Sequence, residues 1–274
     1  MIAAVDIGGT KTLVAVFDAH GKVIEQLKFP TAKNYEQFKV DLADIVAKLT
    51  TKDFLRVVVA IPGLVNRRKG IGVAFGNLPW SNVPVGHDLE ILFKAPVVVE
   101  NDAKLAGLSE AILLKASYNR VLYVTIGTGI GAAYIKNGVI APDFIDSEPG
   151  HMLLEHKDRL ARWEDFASGS AISEKFGKKA SEITDAQSWY IIARNIALGL
   201  INLIAILTPE VIIIGGGVGK HFNKFKDRLD EEMKIFENPM LKLPVILQAK
   251  QAEEAVIYGC YEYAKQHAAR HIAK

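Results

Sequence analysis

Apolar residues at the start of the chain fall in short runs separated by glycine-containing turns. Residues 2–5 and 13–17 each read as a buried strand, and residues 22–29 read as a third after the turn Ala19-His20-Gly21. Strands joined by tight turns predict an antiparallel meander. The period then lengthens. Asn34 can cap a helix running to about residue 49, with Phe38, Leu42, Ile45, Val46 and Leu49 at helical spacing. Residues 55–61 are almost continuously apolar, as a central strand buried on both faces requires, and Pro62-Gly63 ends them. A Gly- and Pro-rich excursion through Asn77-Leu78-Pro79-Trp80 leads to a short helix at 87–93. A strand at 95–100 then breaks at Asn101-Asp102 into a helix reaching about Ala116.

At Arg120 the order of elements restarts. Residues 121–126 read as a strand, followed by Gly127-Thr128-Gly129-Ile130-Gly131, a strand at 132–135 and the turn Lys136-Asn137-Gly138. Strand, glycine turn, strand, turn is the order of residues 2–23 again, which predicts an internal duplication with its boundary between 103 and 119. Residues 141–165 lack a regular period and hold Pro142, Pro149, Gly150, His151 and several acids, so they read as a long functional loop. A helix begins around Ser168-Gly169-Ser170 and ends near Gly177. Thr184 or Asp185 caps the longest helix, about 186–207, whose second half is apolar nearly all round and predicts a buried central helix. A strand at 211–214 runs into Gly215-Gly216-Gly217. A helix at about 222–236, a strand at 245–247 and a final helix at about 252–266 complete the chain.

Composition narrows the function classes. The chain has 274 residues, half of them hydrophobic, and a net charge of +2, so it can bury one large core or two, with no general attraction to nucleic acid or membrane. The densest basic run, Arg67-Arg68-Lys69 beside Gly70, reads as a solvated hairpin tip. The single cysteine, Cys260, excludes an internal disulfide, which with no secretory segment at the start predicts a cytoplasmic protein. The apolar stretch 196–207 contains Asn202 and is too short to span a bilayer.

The candidate chemistry begins at Asp6-Ile7-Gly8-Gly9-Thr10-Lys11-Thr12. Glycines let backbone N–H groups approach an anion closely. Thr10 and Lys11 can donate to phosphate oxygens, and Asp6 can attract Mg²⁺ directly or through its water shell. The same stretch also meets the needs of a plain hairpin turn. Three glycine clusters, at 8–9, 127–131 and 215–219, each follow an apolar strand, and together they could cradle a nucleotide. Gly127-x-Gly129-x-Gly131 is not a dinucleotide fingerprint, because a strand follows it. Asn101-Asp102 can cap a helix or supply a general base for phosphoryl transfer. Glu148-x-Gly150-His151, followed by Glu164 and Ser168-Gly169, could bind a polyhydroxylated ligand, or His151, His156 and carboxylates could bind a metal.

Four ordered motifs carry a family resemblance: Asp6-Ile7-Gly8-Gly9-Thr10-Lys11, Glu100-Asn101-Asp102-Ala103, Thr125-Ile126-Gly127-Thr128-Gly129-Ile130-Gly131 and Glu148-Pro149-Gly150-His151. In order and spacing they resemble the ROK family of repressors, open reading frames and sugar kinases. The resemblance takes in the Leu78-Pro79-Trp80 segment and the Gly215-Gly216-Gly217-Val218 turn. It implies an α/β, two-domain actin-like ATPase (ribonuclease H-like) fold, each domain a mixed sheet flanked by helices. A small domain of 1–106 plus about 252–274 and a larger one of 107–251 would close on the substrates, with the active site in the cleft between them. It implies an ATP- and Mg²⁺-dependent hexose kinase, with Asp102 as the base toward the sugar 6-hydroxyl. Asn101, Glu148, His151 and Glu164 are then sugar contacts, joined by Asn77 and Gly63. Gly8, Gly9, Thr10 and Lys11 form one phosphate loop, Gly127, Thr128 and Gly129 the other, and Gly216 and Gly217 the adenosine side. The final helix is expected to pack on the N-terminal domain, and the enzyme is expected to be a homodimer.

The chain departs from the family in one large respect. Zinc-bearing members follow the Glu-x-Gly-His motif with three cysteine ligands, whereas residues 153–164 here hold none. A structural zinc is not expected, and His151 must be oriented by something else, such as Trp163 or a carboxylate. Repressor members carry a helix-turn-helix segment ahead of the phosphate loop. Five residues precede Asp6 here, so a DNA-binding regulator is disfavoured. Glucose is the default acceptor. The alternatives are an N-acylated hexosamine, mannose or fructose, polyphosphate as donor, or a non-catalytic sugar sensor.

Overall fold

The computed structural model describes residues 1–115, 117–251 and 254–272, which divide into two compact units: Met1–Ser109 with Glu253–Lys274, and Glu110–Ala252.

In the first unit, β1 (Ile2–Ile7), β2 (Lys11–Phe17) and β3 (Val23–Pro30) form the meander expected from the early apolar runs. After α1 (Tyr35–Lys48), capped by Asn34 through the Gln37 N–H, comes β4 (Arg56–Ile61). The next elements are β5 (Gly63–Asn66), β6 (Ile71–Phe75), β7 (Ser81–Val83), α2 (Val85–Phe93), β8 (Val97–Asn101) and α3 (Asp102–Ile112). The main sheet has the order β3-β2-β1-β4-β8, antiparallel within the meander and parallel from β1 to β8. Its core is the apolar set from β1, β2 and β4 together with Phe38, Leu42 and Leu89.

Two local expectations change. Asp6 pairs with Leu13 on one side and Ala60 on the other, so ladder bonds carry β1 past the end of its apolar run and shorten the turn to residues 8–10. The excursion at 63–83 is a small three-stranded sheet, β5-β6-β7. Its small residues hid the strand pattern yet permit the close approach: a Cβ on Gly63 would lie 2.0 Å from the Ala74 carbonyl oxygen. Trp80 anchors this sheet, buried against Phe38 and Phe75, with its indole N–H donating to the Lys33 carbonyl at 2.8 Å. The C-terminal helix, Ala255–Ile272, packs on β1 and β4 of this unit. The expected helix end at Ala116 and helix start at Ala252 lie outside the described residues.

The second unit repeats the plan. Its strands are β9 (Arg120–Ile126), β10 (Ile130–Lys136), β11 (Val139–Ile140), β12 (Leu153–His156), β13 (Arg159–Arg162), β14 (Val211–Gly215) and β15 (Val245–Gln248). Its helices are α4 (Glu164–Ala167), α5 (Gly169–Phe176), α6 (Ala186–Leu207), α7 (Gly216–Gly219) and α8 (Lys226–Lys234). The main sheet runs β11-β10-β9-β14-β15, with the same antiparallel and parallel pairings as the first. The stretch 141–165 is no loop: it holds two 3₁₀ turns and the hairpin β12–β13. The hairpin buries little on its own, which left its period faint. Leu154 and Ala161 pack on the core, and His156 lies flat on Phe166 at 4.2 Å. The helix expected at 222–236 breaks at Phe225 into a 3₁₀ turn and α8.

Asp185 caps α6 through the Ser188 N–H, and α6 is long and apolar enough by composition to cross a membrane. More than half of its apolar window is buried inside the unit instead. It is not buried all round as expected: Asn202, Ala205 and Ile206 face outward, Ile206 at 67% exposure, because the sheet covers only one side. Trp163 is fully buried against it, donating to the Asn195 carbonyl at 3.0 Å.

Candidate active site

In the first unit the candidate residues gather at the carboxyl ends of β1, β4 and β8. Gly8 N–H donates to the Lys11 carbonyl at 3.0 Å, closing the turn between β1 and β2. A Cβ on Gly9 would stand 2.6 Å from that of Asn77, so the glycine turn and the sugar-contact candidate touch directly. Lys33 ties them further, its ammonium donating to the Gly9 carbonyl at 2.9 Å and to that of Asn77 at 3.2 Å. Sequence reasoning missed Lys33, since a lysine beside a helix cap carries no signal of its own.

Burial and the nearby charge of Asp102, partly offset by Lys28, push the Asp6 carboxyl up to about 7. The two carboxylates thus sense one another. A hard cation with oxygen ligands would relieve this excess of negative charge, so the residues fit Mg²⁺, with Asp6 as the group that would hold it. Asn101 is buried, and its amide serves the protein on both sides: Nδ2 donates to the Gly63 carbonyl at 3.0 Å, and Oδ1 accepts from the Lys104 N–H at 3.1 Å. One donor and one lone pair of the amide remain for a ligand. Asp102 opens α3, its Oδ1 accepting from the Ala103 N–H at 2.7 Å. The cap at this junction comes from Asn101, through the Lys104 N–H, and Asp102 takes the first position of the helix.

Behind this pair sits Glu100, whose side chain is fully buried. Arg67 grips it with Nε at 2.7 Å and a terminal nitrogen at 2.6 Å, and the Tyr263 hydroxyl of the C-terminal helix donates at 3.1 Å. The solvated-tip reading of Arg67-Arg68-Lys69 thus fails for Arg67, because the hairpin folds its side chain inward onto β8. Arg68 and Lys69 do face solvent.

In the second unit Gly127 N–H donates to the Gly129 carbonyl at 2.9 Å, and the Gly127 carbonyl accepts from Gly169 at 2.6 Å. A Cβ on Gly127 would meet nothing within 4 Å, and the same holds for Gly217. Open space in front of bare backbone is the cradle a phosphate or a flat base needs. Thr128 is exposed beside it, and Gly216 has φ +80°, a backbone that favours glycine. Glu164, at the start of α4, seats its carboxylate 2.8 Å from where a Cβ of Gly129 would be. The same carboxylate lies 3.5 Å from His151 Nε2 and 3.3 Å from an Arg162 guanidinium nitrogen. His151 closes a 3₁₀ turn, its N–H donating to the Glu148 carbonyl at 3.0 Å. A carboxylate therefore stands beside His151, while Trp163 is committed to the core. Arg162 was not anticipated, although its place two residues before Glu164 on a strand is a readable signal. Residues 151–164 offer no thiolate for a structural zinc, and among the described residues no three His, Cys, Asp or Glu side chains stand together as a metal set.

The ROK family model matches residues 2–267. A fructokinase of Streptococcus mutans is 26% identical over 98% of this chain and 99% of its own. An N-acetyl-D-glucosamine kinase of Haemophilus influenzae is 25% identical over 94% of this chain and 97% of its own. The crystal structure of a ROK family glucokinase from Streptomyces griseus, in complex with glucose and AMPPNP, superposes with a TM-score of 0.80. It covers 97% of this chain and 99% of that one at 23% identity, which speaks to the fold alone. With its repeated five-stranded sheets, its glycine turns and a match over nearly its whole length, this chain has the actin-like ATPase fold and belongs to the ROK family.

Proposed function

We propose that this sugar kinase transfers the γ-phosphoryl group of ATP to the 6-hydroxyl of a hexose, with glucose as the first acceptor to test. The observation that carries the reading is that Asp6, the glycine turn with Asn77 against Gly9, and Asn101-Asp102 gather at the carboxyl ends of β1, β4 and β8. Asp102 accepts the proton of the hydroxyl as its oxygen attacks the γ-phosphorus, and the bond to the β-phosphate oxygen breaks to release ADP. Asn101 and Asn77 hold the sugar from the first unit, and Glu148, His151 and Glu164 bind its other hydroxyls. The open backbone at Gly127 and Gly217 receives phosphate and adenosine, and the turn at Gly8, Gly9, Thr10 and Lys11 donates to the transferred group. Magnesium, when bound beside Asp6, offsets charge on the phosphate oxygens.

The acceptor is the least constrained part of this reading. Relatives of similar identity are named for fructose and for N-acetyl-D-glucosamine, so the panel must include both, together with mannose. ADP release is measured for the wild type and Asp102→Asn across that panel, with ATP and with polyphosphate as donor. Sugar-stimulated release that disappears in Asp102→Asn, with sugar binding retained, supports the kinase. No stimulation by any sugar moves the protein to the sensor class, and undiminished turnover in Asp102→Asn removes the base assignment.

A further inference from the structure

Glu100 precedes the sugar contact and the base, and nothing in the reaction uses it directly. Its carboxylate nonetheless accepts four hydrogen bonds. Oε1 accepts from Arg67 at 2.6 Å and from the Asn101 N–H at 2.7 Å, while Oε2 accepts from Arg67 Nε at 2.7 Å and from the Tyr263 hydroxyl at 3.1 Å. A buried ion pair is a poor source of stability, because desolvation consumes most of its attraction. What four converging bonds do supply is a fixed place for the end of β8. The Asn101 N–H is one of the four, and the Asn101 side chain in turn caps the Lys104 N–H one turn into α3. Tyr263 comes from the C-terminal helix, 163 residues after Glu100. That helix also seats itself against α3: a Cβ on Gly259 would lie 2.0 Å from the Leu105 carbonyl oxygen.

We propose that Arg67, Glu100 and Tyr263 are positioning residues that hold Asn101 and Asp102 in register, making the C-terminal helix part of the machinery for phosphoryl transfer. The proposal rests on the kinase reading above. Misplacing a catalytic group by about an ångström costs on the order of a hundredfold in rate, so a set that fixes the base should show itself in kcat.

The test separates positioning from stability. Arg67→Met alone strands the Glu100 carboxylate and lowers the melting temperature. Adding Glu100→Gln removes the buried charge and restores most of that loss. If the set only stabilises the fold, kcat returns with the melting temperature in the double variant. If it positions the base, the double variant recovers its melting temperature while kcat stays down by about a hundredfold. Tyr263→Phe removes one hydroxyl and should lower kcat about tenfold, with the acceptor KM moving less than about threefold, because Asn101 keeps its bonds to Gly63 and Lys104. Hydrogen exchange at the amides of Asn101, Ala103 and Lys104 reads the same set without any turnover, and should quicken about tenfold or more in the double variant. Recovery of kcat together with stability, or unchanged exchange at these amides, overturns the proposal. If the wild type phosphorylates no sugar, the kinase reading fails separately, and the exchange measurement still decides whether the set holds this segment.

Discussion

The two glycine hairpins share a plan and differ in what surrounds them. Each joins the central strand of a five-stranded sheet to its antiparallel neighbour, and each closes with a hydrogen bond from its first glycine, Gly8 or Gly127. The first carries a carboxylate, Asp6, two residues before its glycine, and Asn77 closes over Gly9. The second has Thr125 in the corresponding place, and among the described residues, chain neighbours aside, nothing stands within 4 Å of where a Cβ of Gly127 would be. One plan therefore gives two surroundings. The first hairpin is packed and charged, and the second offers bare backbone. Under the kinase reading we propose, the first suits the reacting groups and the second suits phosphates that need only N–H donors.

The largest expected effect tests the charged side. Asp102→Asn should reduce kcat by about 10²–10⁴-fold, read as ADP release under saturating sugar, with the fold intact by circular dichroism. A loss below about tenfold would move the chemistry off this hairpin's surroundings. The glycines then separate the two turns. Gly9→Ala drives a methyl into Asn77, so we expect about 1–3 kcal/mol of lost stability in a melt, with a raised acceptor KM. Gly127→Ala meets no protein atom, so its melting temperature should match the wild type while the KM for ATP rises about tenfold. Equal melting temperatures for these two variants would erase the distinction.

The smallest effect lies at the sheet edge. Glu25 on β3 accepts the Thr50 and Thr51 backbone N–H groups at 2.7 and 2.8 Å. Hydrogen bonds from Thr51 and Thr50 lower its carboxyl from 4.5 to about 2. A folded-state value below the unfolded one stabilises above about pH 4.5, and this contribution fades as pH falls toward 2. Wild type should therefore melt slightly above Glu25→Gln at pH 7, with the two curves converging by about pH 2. A gap that persists unchanged through acid would show that the latch is not ionic. The equivalent third strand of the other unit, β11, is two residues long, so this anchoring belongs to one half alone.

Much of this was legible beforehand because it rests on local rules. The strands of the two main sheets showed as apolar runs, except the two-residue β11, and Asn34, Ser168 and Asp185 cap helices as their residue types predict. The stretch at 141–165 was misread because a hairpin packed mainly by Leu154, Ala161 and a stacked His156 leaves almost no alternation to detect. Arg67 was misread for the opposite reason. Its neighbours are exposed, and only the fold brings Glu100 within its reach.

By itself, the sequence determined the order of elements in the two main sheets, the duplicated hairpins and the candidacy of Asp102, because apolar period, turn chemistry and motif spacing all act within a few residues. Tertiary structure alone decided how those residues are held. It set Asp6 where burial and Asp102 disturb its carboxyl, brought Lys33 to the turn, leaned Glu164 on His151, and carried Tyr263 back to Glu100. Such contacts join residues far apart in the chain, and their partners are chosen by packing, which no local pattern encodes.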